Sequence, residues 1–170
     1  HLNILANETH TPEFLKLNSN GKIPVVVVDG KESLAESNAI LNYLAENTAF
    51  LPESGMGRAK VLEWQFFEQY SHEPYVAVAR FIQKYLGLPA GRKEEYLAKQ
   101  KGGHNALKVM DQHLQEHDFF VGDCVTIADI SLYAYTHVAH EGGFDLSHYP
   151  NIQTWMKKVQ TTPGYVGMED

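Results

Sequence analysis

Apolar and polar positions follow two regimes along this chain. Over the first fifty residues, short apolar runs are separated by turn chemistry; after Gly57 the apolar positions take up helical spacing. Leu2 and Ile4, alternating with Asn3, predict the last part of a strand over residues 1–5. Thr11-Pro12-Glu13 predicts a helix start, with Thr11 as N-cap, Pro12 in the first position and Glu13 in the first turn. Phe14, Leu15 and Leu17 carry that helix until Asn18–Gly21 stops it. Val25–Val28 is a β-branched run without alternation, which predicts a strand buried on both faces. Asp29-Gly30 supplies the residues that a two-residue hairpin turn needs, so an antiparallel strand is expected over Lys31–Ala35. Ala39, Ile40, Tyr43 and Leu44 then predict a helix over 37–46, completing a β-α-β-β-α order.

Pro52, Gly55 and Gly57 mark a linker over 47–57, and the expected domains are residues 1–50 and 51–170. The second reads as helical throughout. A long helix over 58–86 carries Val61, Leu62, Phe66, Tyr70, Val76, Val78 and Phe81, with a kink expected near His72-Glu73 because Pro74 lacks an amide hydrogen. A second helix over 92–117 has Tyr96, Leu97, Leu107, Met110 and Leu114 as its predicted core face. Gly102-Gly103 within it costs about 1 kcal/mol per glycine relative to alanine, which predicts a bent or irregular middle. Thr126 and Asp129 form a capping-box variant, flanked by Val125 and Ile130 as a hydrophobic staple; this pair folds the domain and does no chemistry. The last helix is expected over 152–160.

Candidate chemistry concentrates between Asn20 and Ser37. Pro24 opens a strand, where its missing N–H breaks no ladder bond, so Ile23 presents its own N–H and C=O to an extended, peptide-like ligand. Ser37, read as the N-cap of the following helix, and the amides behind it make a seat for a carboxylate. Lys22 and Glu36 add one charge of each sign. Together these suit a small zwitterionic peptide.

Gly21-Lys22-Ile23-Pro24, followed by Glu36-Ser37-Asn38-Ala39-Ile40, resembles the glutathione-binding half of the cytosolic glutathione S-transferases, of bacterial type, and the resemblance continues through the helical remainder. It implies an α+β thioredoxin-like N-terminal domain, incomplete here, followed by an all-α C-terminal domain, with the leading β-α unit expected before residue 1. It also implies a cis Ile23–Pro24 bond, backbone pairing of Ile23 with the cysteinyl part of glutathione, and capture of the γ-glutamyl end by Glu36 and Ser37. Lys22 belongs to the same implied site, and Thr9 and His10 stand where relatives sometimes touch the glycine carboxylate. Phe67, Tyr70 and His72, with Tyr75, stand on the side that borders the co-substrate pocket in relatives. The family's activating Tyr, Ser or Cys falls before His1, so no catalytic residue is assigned. The implied reaction is attack of the glutathione thiolate on a small hydrophobic electrophile by a cytoplasmic homodimer. A glutathione-dependent disulfide reductase or peroxidase, and a non-catalytic interaction module of the same fold, are the alternatives.

Composition narrows the partners further. Fourteen basic against 21 acidic residues give a net charge of −7, which argues against nucleic acid or an anionic membrane surface. No apolar run reaches the roughly 18–20 residues of a membrane span, and no secretory leader is recognised. Cys124 is the only cysteine, so no internal disulfide forms; its place in the Thr126 motif favours a structural role, and a reducing cytoplasm fits. The nine histidines lack the spacing of a metal site, and the His113/His117 pair reads as a solvated helix face, so no metal is expected.

Overall fold

The computed structural model describes residues 2–167 and divides into two compact units, residues 1–48 and 49–170. In the first unit, helix α1 (Pro12–Leu17) starts as its sequence predicts: the Thr11 hydroxyl accepts from Phe14 N–H (3.3 Å) and Pro12 occupies the first turn. Strands β1 (Val25–Val28) and β2 (Glu32–Ala35) pair antiparallel in the register Val25↔Ala35 to Val28↔Glu32. Asp29 and Gly30 take φ of 50° and 67°, and Lys31 N–H bonds back to Val28 O (3.0 Å). The connection therefore has three residues rather than two, because Lys31 closes the turn instead of opening β2. Helix α2 (Ser37–Ala45) follows directly.

Two strand expectations fail in this unit. The predicted strand over 1–5 is absent from its described part, Leu2–Leu5: Asn3 Oδ1 accepts from the amides of Leu5 and Ala6, and Ile4–Ala6 closes a 3₁₀ turn; His1 lies outside the described residues. A short polar side chain here offers the backbone a local alternative to a ladder. Nor is β1 buried on both faces, since Val27 is 47% exposed. Among the described residues β1 has a strand neighbour on one side only, and Val25 and Val27 line an open groove of about 440 Å³ with Phe14, Leu17 and Ile23.

The second unit is helical. Helix α3 (Gly55–Phe67) begins three residues before the predicted start, because the Ser54 hydroxyl accepts from Gly57 N–H (3.0 Å) and caps it. A π-helical turn, Glu68–His72, joins it to α4 (Glu73–Arg80), so the irregularity expected at Pro74 occurs in the turn before it. Helix α5 (Lys93–His113) is uninterrupted through Gly102-Gly103, contrary to expectation. A Cβ on Gly102 would strike the Tyr75 ring, and one on Gly103 would strike Phe144. These glycines let neighbours approach the helix and leave its hydrogen bonds intact. Leu107 and Met110 are buried as predicted, whereas Leu97 is 56% exposed. Helices α6 (Ile127–Thr136) and α7 (Pro150–Gln160) complete the unit.

The predicted Thr126/Asp129 box starts α6 and forms the polar centre of this unit. Asp129, fully buried, accepts from Thr126 N–H (2.9 Å), Thr126 Oγ1 (3.0 Å), Phe120 N–H (3.0 Å) and Trp155 Nε1–H (2.9 Å). Burial pushes its carboxyl pKa up, against the pull of those hydrogen bonds. Cys124, just before this motif, is exposed rather than packed into it.

Candidate glutathione site

The register of the β-ribbon assembles the site. Val25 pairs with Ala35, so Ile23-Pro24, just before β1, and Glu36-Ser37, just after β2, emerge at the same end of the ribbon. Lys22, Ile23, Pro24, Glu36 and Ser37 are all exposed there. The Ile23–Pro24 peptide bond is cis.

Ser37 differs from its predicted role. It is the first residue of α2 rather than its N-cap, and the N-cap, Glu36, makes no side-chain cap bond. The first intrahelical bond runs from Ile40 N–H to Glu36 O (3.0 Å), so the opening amides of Ser37 and Ala39 find no acceptor within the helix. Glu36 holds φ 69° and ψ 116°, a conformation that L side chains rarely adopt. An exposed hydroxyl, amides without helical acceptors and the positive end of the helix dipole together favour a bound carboxylate.

The loop before β1 is held by residues that sequence reasoning read more simply. Asn18, expected only to stop α1, accepts from Asn20 N–H at Oδ1 (3.0 Å) and donates from Nδ2 to Lys22 O (2.8 Å). The His10 ring lies against Gly21 so closely that a Cβ there would sit 2.9 Å from Nε2, and Gly21 has φ +64°. His10 itself is exposed, whereas Thr9 is buried with Oγ1 3.1 Å from His10 Nδ1 and has no open face to offer a ligand. A side chain reaching four residues ahead leaves no periodic signal. Asn18 was visible only as part of a turn.

The three residues assigned to a co-substrate pocket are not alike. Phe67 is half-buried, edge-on to Trp64 at 5.2 Å, and Tyr70 is 81% exposed. His72 has no exposed surface: Nε2 lies 3.0 Å from Thr136 Oγ1, and that hydroxyl donates to Leu132 O (2.7 Å). The hydroxyl proton is thus committed, so Nε2–H of a neutral imidazole donates to Thr136. Burial pushes the His72 pKa down to about 3. His72 belongs to the core, because the π-helical turn aims it at α6.

Among the described residues no cluster of three or more His, Cys, Asp or Glu is placed to hold a metal, and no helix is long and apolar enough to cross a membrane.

Known proteins match this arrangement over both units. The model of the glutathione S-transferase N-terminal domain matches residues 1–46, and that of the C-terminal domain matches residues 62–163. A crystal structure of a glutathione S-transferase from Pseudomonas fluorescens superposes with a TM-score of 0.97 at 57% identity, over 99% of this chain and 84% of that one. Glutathione S-transferase 2 of Anopheles gambiae is 34% identical over 171 residues, 96% of this chain and 78% of its own length. The disulfide-bond oxidoreductase YfcG of Escherichia coli is 30% identical over 161 residues, 89% of this chain and 73% of its own length. Two matched domains, a cis Ile23–Pro24 bond beside Glu36-Ser37 and a helical second unit agree, and the chain belongs to the glutathione S-transferase family.

Proposed function

We propose that this chain is a glutathione transferase that directs the glutathione thiolate at small hydrophobic electrophiles. The carrying observation is the register that brings Ile23-Pro24 and Glu36-Ser37 to one end of the ribbon. Ile23 pairs its backbone with the cysteinyl unit. Ser37 and the opening amides of α2 take the γ-glutamyl carboxylate, Glu36 takes the ammonium group, and Lys22 adds a cation beside them. The protein's chemical task is to hold the sulfur as thiolate near neutral pH, which a hydrogen bond to that sulfur accomplishes. No residue of this chain is assigned that bond. Phe67 and Tyr70 are the side chains we assign to the electrophile.

The working form in this reading is a cytoplasmic homodimer. Leu62 and Phe66, one turn apart on α3 and both exposed, support the face for a second copy.

Isothermal titration with glutathione tests the reading. Saturable heat is expected from the wild type, weakened about tenfold by Ser37→Ala, the loss of one charge-assisted hydrogen bond. No saturable heat, or no weakening in the variant, overturns it. A glutathione-dependent disulfide reductase or peroxidase is the second reading, favoured by the 30% identity to YfcG. Turnover of a mixed disulfide or hydroperoxide in place of a chloroaromatic selects it.

A further inference from the structure

We propose that Asn18 is a positioning residue for glutathione: its side-chain amide holds the Lys22–Ile23 peptide plane so that Ile23 N–H is aimed at the ligand. The inference rests on the glutathione reading above and adds to it the group that orients the pairing amide.

The Asn18 side-chain amide has a single orientation. Asn20 N–H can only donate, so the atom 3.0 Å from it is Oδ1; Lys22 O can only accept, so the atom 2.8 Å from it is Nδ2. The two contacts fix the side chain in one orientation. Its backbone is fixed as well, through Asn18 N–H to Phe14 O (3.0 Å) and Gly21 N–H to Asn18 O (3.0 Å). Asn18 thus closes the end of α1 with its backbone and holds the loop with its side chain.

The geometry of a peptide bond carries the rest. The carbonyl of Lys22 and the N–H of Ile23 belong to one rigid plane and point in opposite directions. Anchoring Lys22 O on Asn18 Nδ2 therefore sets the direction of Ile23 N–H. Without the anchor, the plane between exposed Lys22 and exposed Ile23 is free to rotate about its flanking dihedrals. Ile23 would then offer its amide in many directions, and binding would bear the entropy of choosing one. The His10 ring on Gly21 limits the loop from its other end, where only a glycine admits both the close approach and φ +64°.

Two variants separate this role from plain turn stability. Asn18→Asp keeps the acceptor for Asn20 N–H and removes the donor to Lys22 O; Asn18→Ala removes both. Glutathione titration calorimetry is combined with amide proton–nitrogen spectra of the full chain. The expected result is about tenfold or greater loss of glutathione affinity in both variants. At saturating glutathione, the ligand-induced shift of the Ile23 amide should be lost while that of the Ser37 amide persists. A merely structural role would weaken the two amide responses together, and that outcome overturns the proposal. So does an Asn18→Asp protein that binds like wild type, or one that does so while Asn18→Ala is weak, since the turn bond would then be the operative one. Wild-type protein that takes up no glutathione overturns the function reading and this inference together; intact wild-type binding with an unaffected Asn18→Asp overturns the inference alone.

Discussion

Helices α2 and α6 both open on a small hydroxyl residue, and they use the opening in opposite ways. At the start of α6, Thr126 and Asp129 cap each other's backbone, and Ile127 N–H is taken up by Phe50 O (3.0 Å), so the donors of the first turn are satisfied from within the chain. At the start of α2, the N-cap residue Glu36 makes no side-chain cap bond and stands at φ 69°, and Ser37 is exposed. The comparison teaches that a hydroxyl at a helix start says little by itself. What separates a structural cap from a candidate anion seat is whether the chain answers its own amides.

The largest effect expected from breaking this contrast lies at Asp129. Asp129→Ala removes the acceptor of buried donors on Phe120, Thr126 and Trp155 at once. Each buried donor left unsatisfied costs about 1–3 kcal/mol, so a total of about 3 kcal/mol or more is expected, more than a cap alone would give. Urea unfolding of the full chain measures it. A loss below about 1 kcal/mol would show that water or rearrangement replaces the carboxylate.

The next effect is a pH dependence of the helical unit. The folded chain holds His72 neutral down to about pH 3, while the unfolded chain binds its proton near pH 6.5. Stability from this group is therefore complete above about pH 6.5 and falls as pH drops toward about 3, by up to about 1.4 kcal/mol per pH unit. His113, pushed down by partial burial and then by the His117 ring stacked on it, acts in the same direction. Unfolding at pH 7 and pH 5 should differ by about 2 kcal/mol. The slope should flatten in His72→Gln, and an equal slope in that variant would assign the effect elsewhere.

A smaller effect compares the two openings directly. Thr126→Ala should cost about 1–2 kcal/mol of stability, the usual worth of a cap. Ser37→Ala should cost no more than a few tenths, because its hydroxyl closes no helix amide, while weakening glutathione as proposed above. Thermal unfolding of both variants, with and without glutathione, tests the pairing: equal stability losses would erase the distinction.

The same contrast marks what the sequence disclosed. Thr11 capping α1, Asp29-Gly30 turning the ribbon and the Thr126/Asp129 box are legible because each acts on backbone within a few residues of itself. The end-to-end meeting of Ile23-Pro24 and Glu36-Ser37 followed from the hairpin, even with its loop one residue longer than expected. Long-range partners were not legible. Gly102 and Gly103 read as weak points because nothing local announces that Tyr75 and Phe144 lie against them. His72 read as a pocket residue from the resemblance alone, and nothing local announces the π-helical turn that points it at Thr136. Val25–Val28 read as buried because burial of a strand depends on neighbours that its own residues do not specify.

One further effect on stability carries opposed signs. Glu36 stands at φ 69° and ψ 116°, a backbone conformation that costs an L residue on the order of 1–3 kcal/mol and a glycine much less. Glu36→Gly relieves that strain but returns conformational entropy to the unfolded chain, about 0.5–1 kcal/mol in the other direction. A net stabilisation of about 0.5–1 kcal/mol is expected, read from urea unfolding. Glutathione affinity should fall in the same protein, since the carboxylate assigned to the ligand's ammonium group is gone and the entry to α2 is looser. Stability rising while affinity falls is the signature of strain retained for binding. A destabilised Glu36→Gly protein with unchanged affinity would show the opposite: that the entry to α2 is structural, and that the two helix openings differ less than their hydrogen bonds suggest.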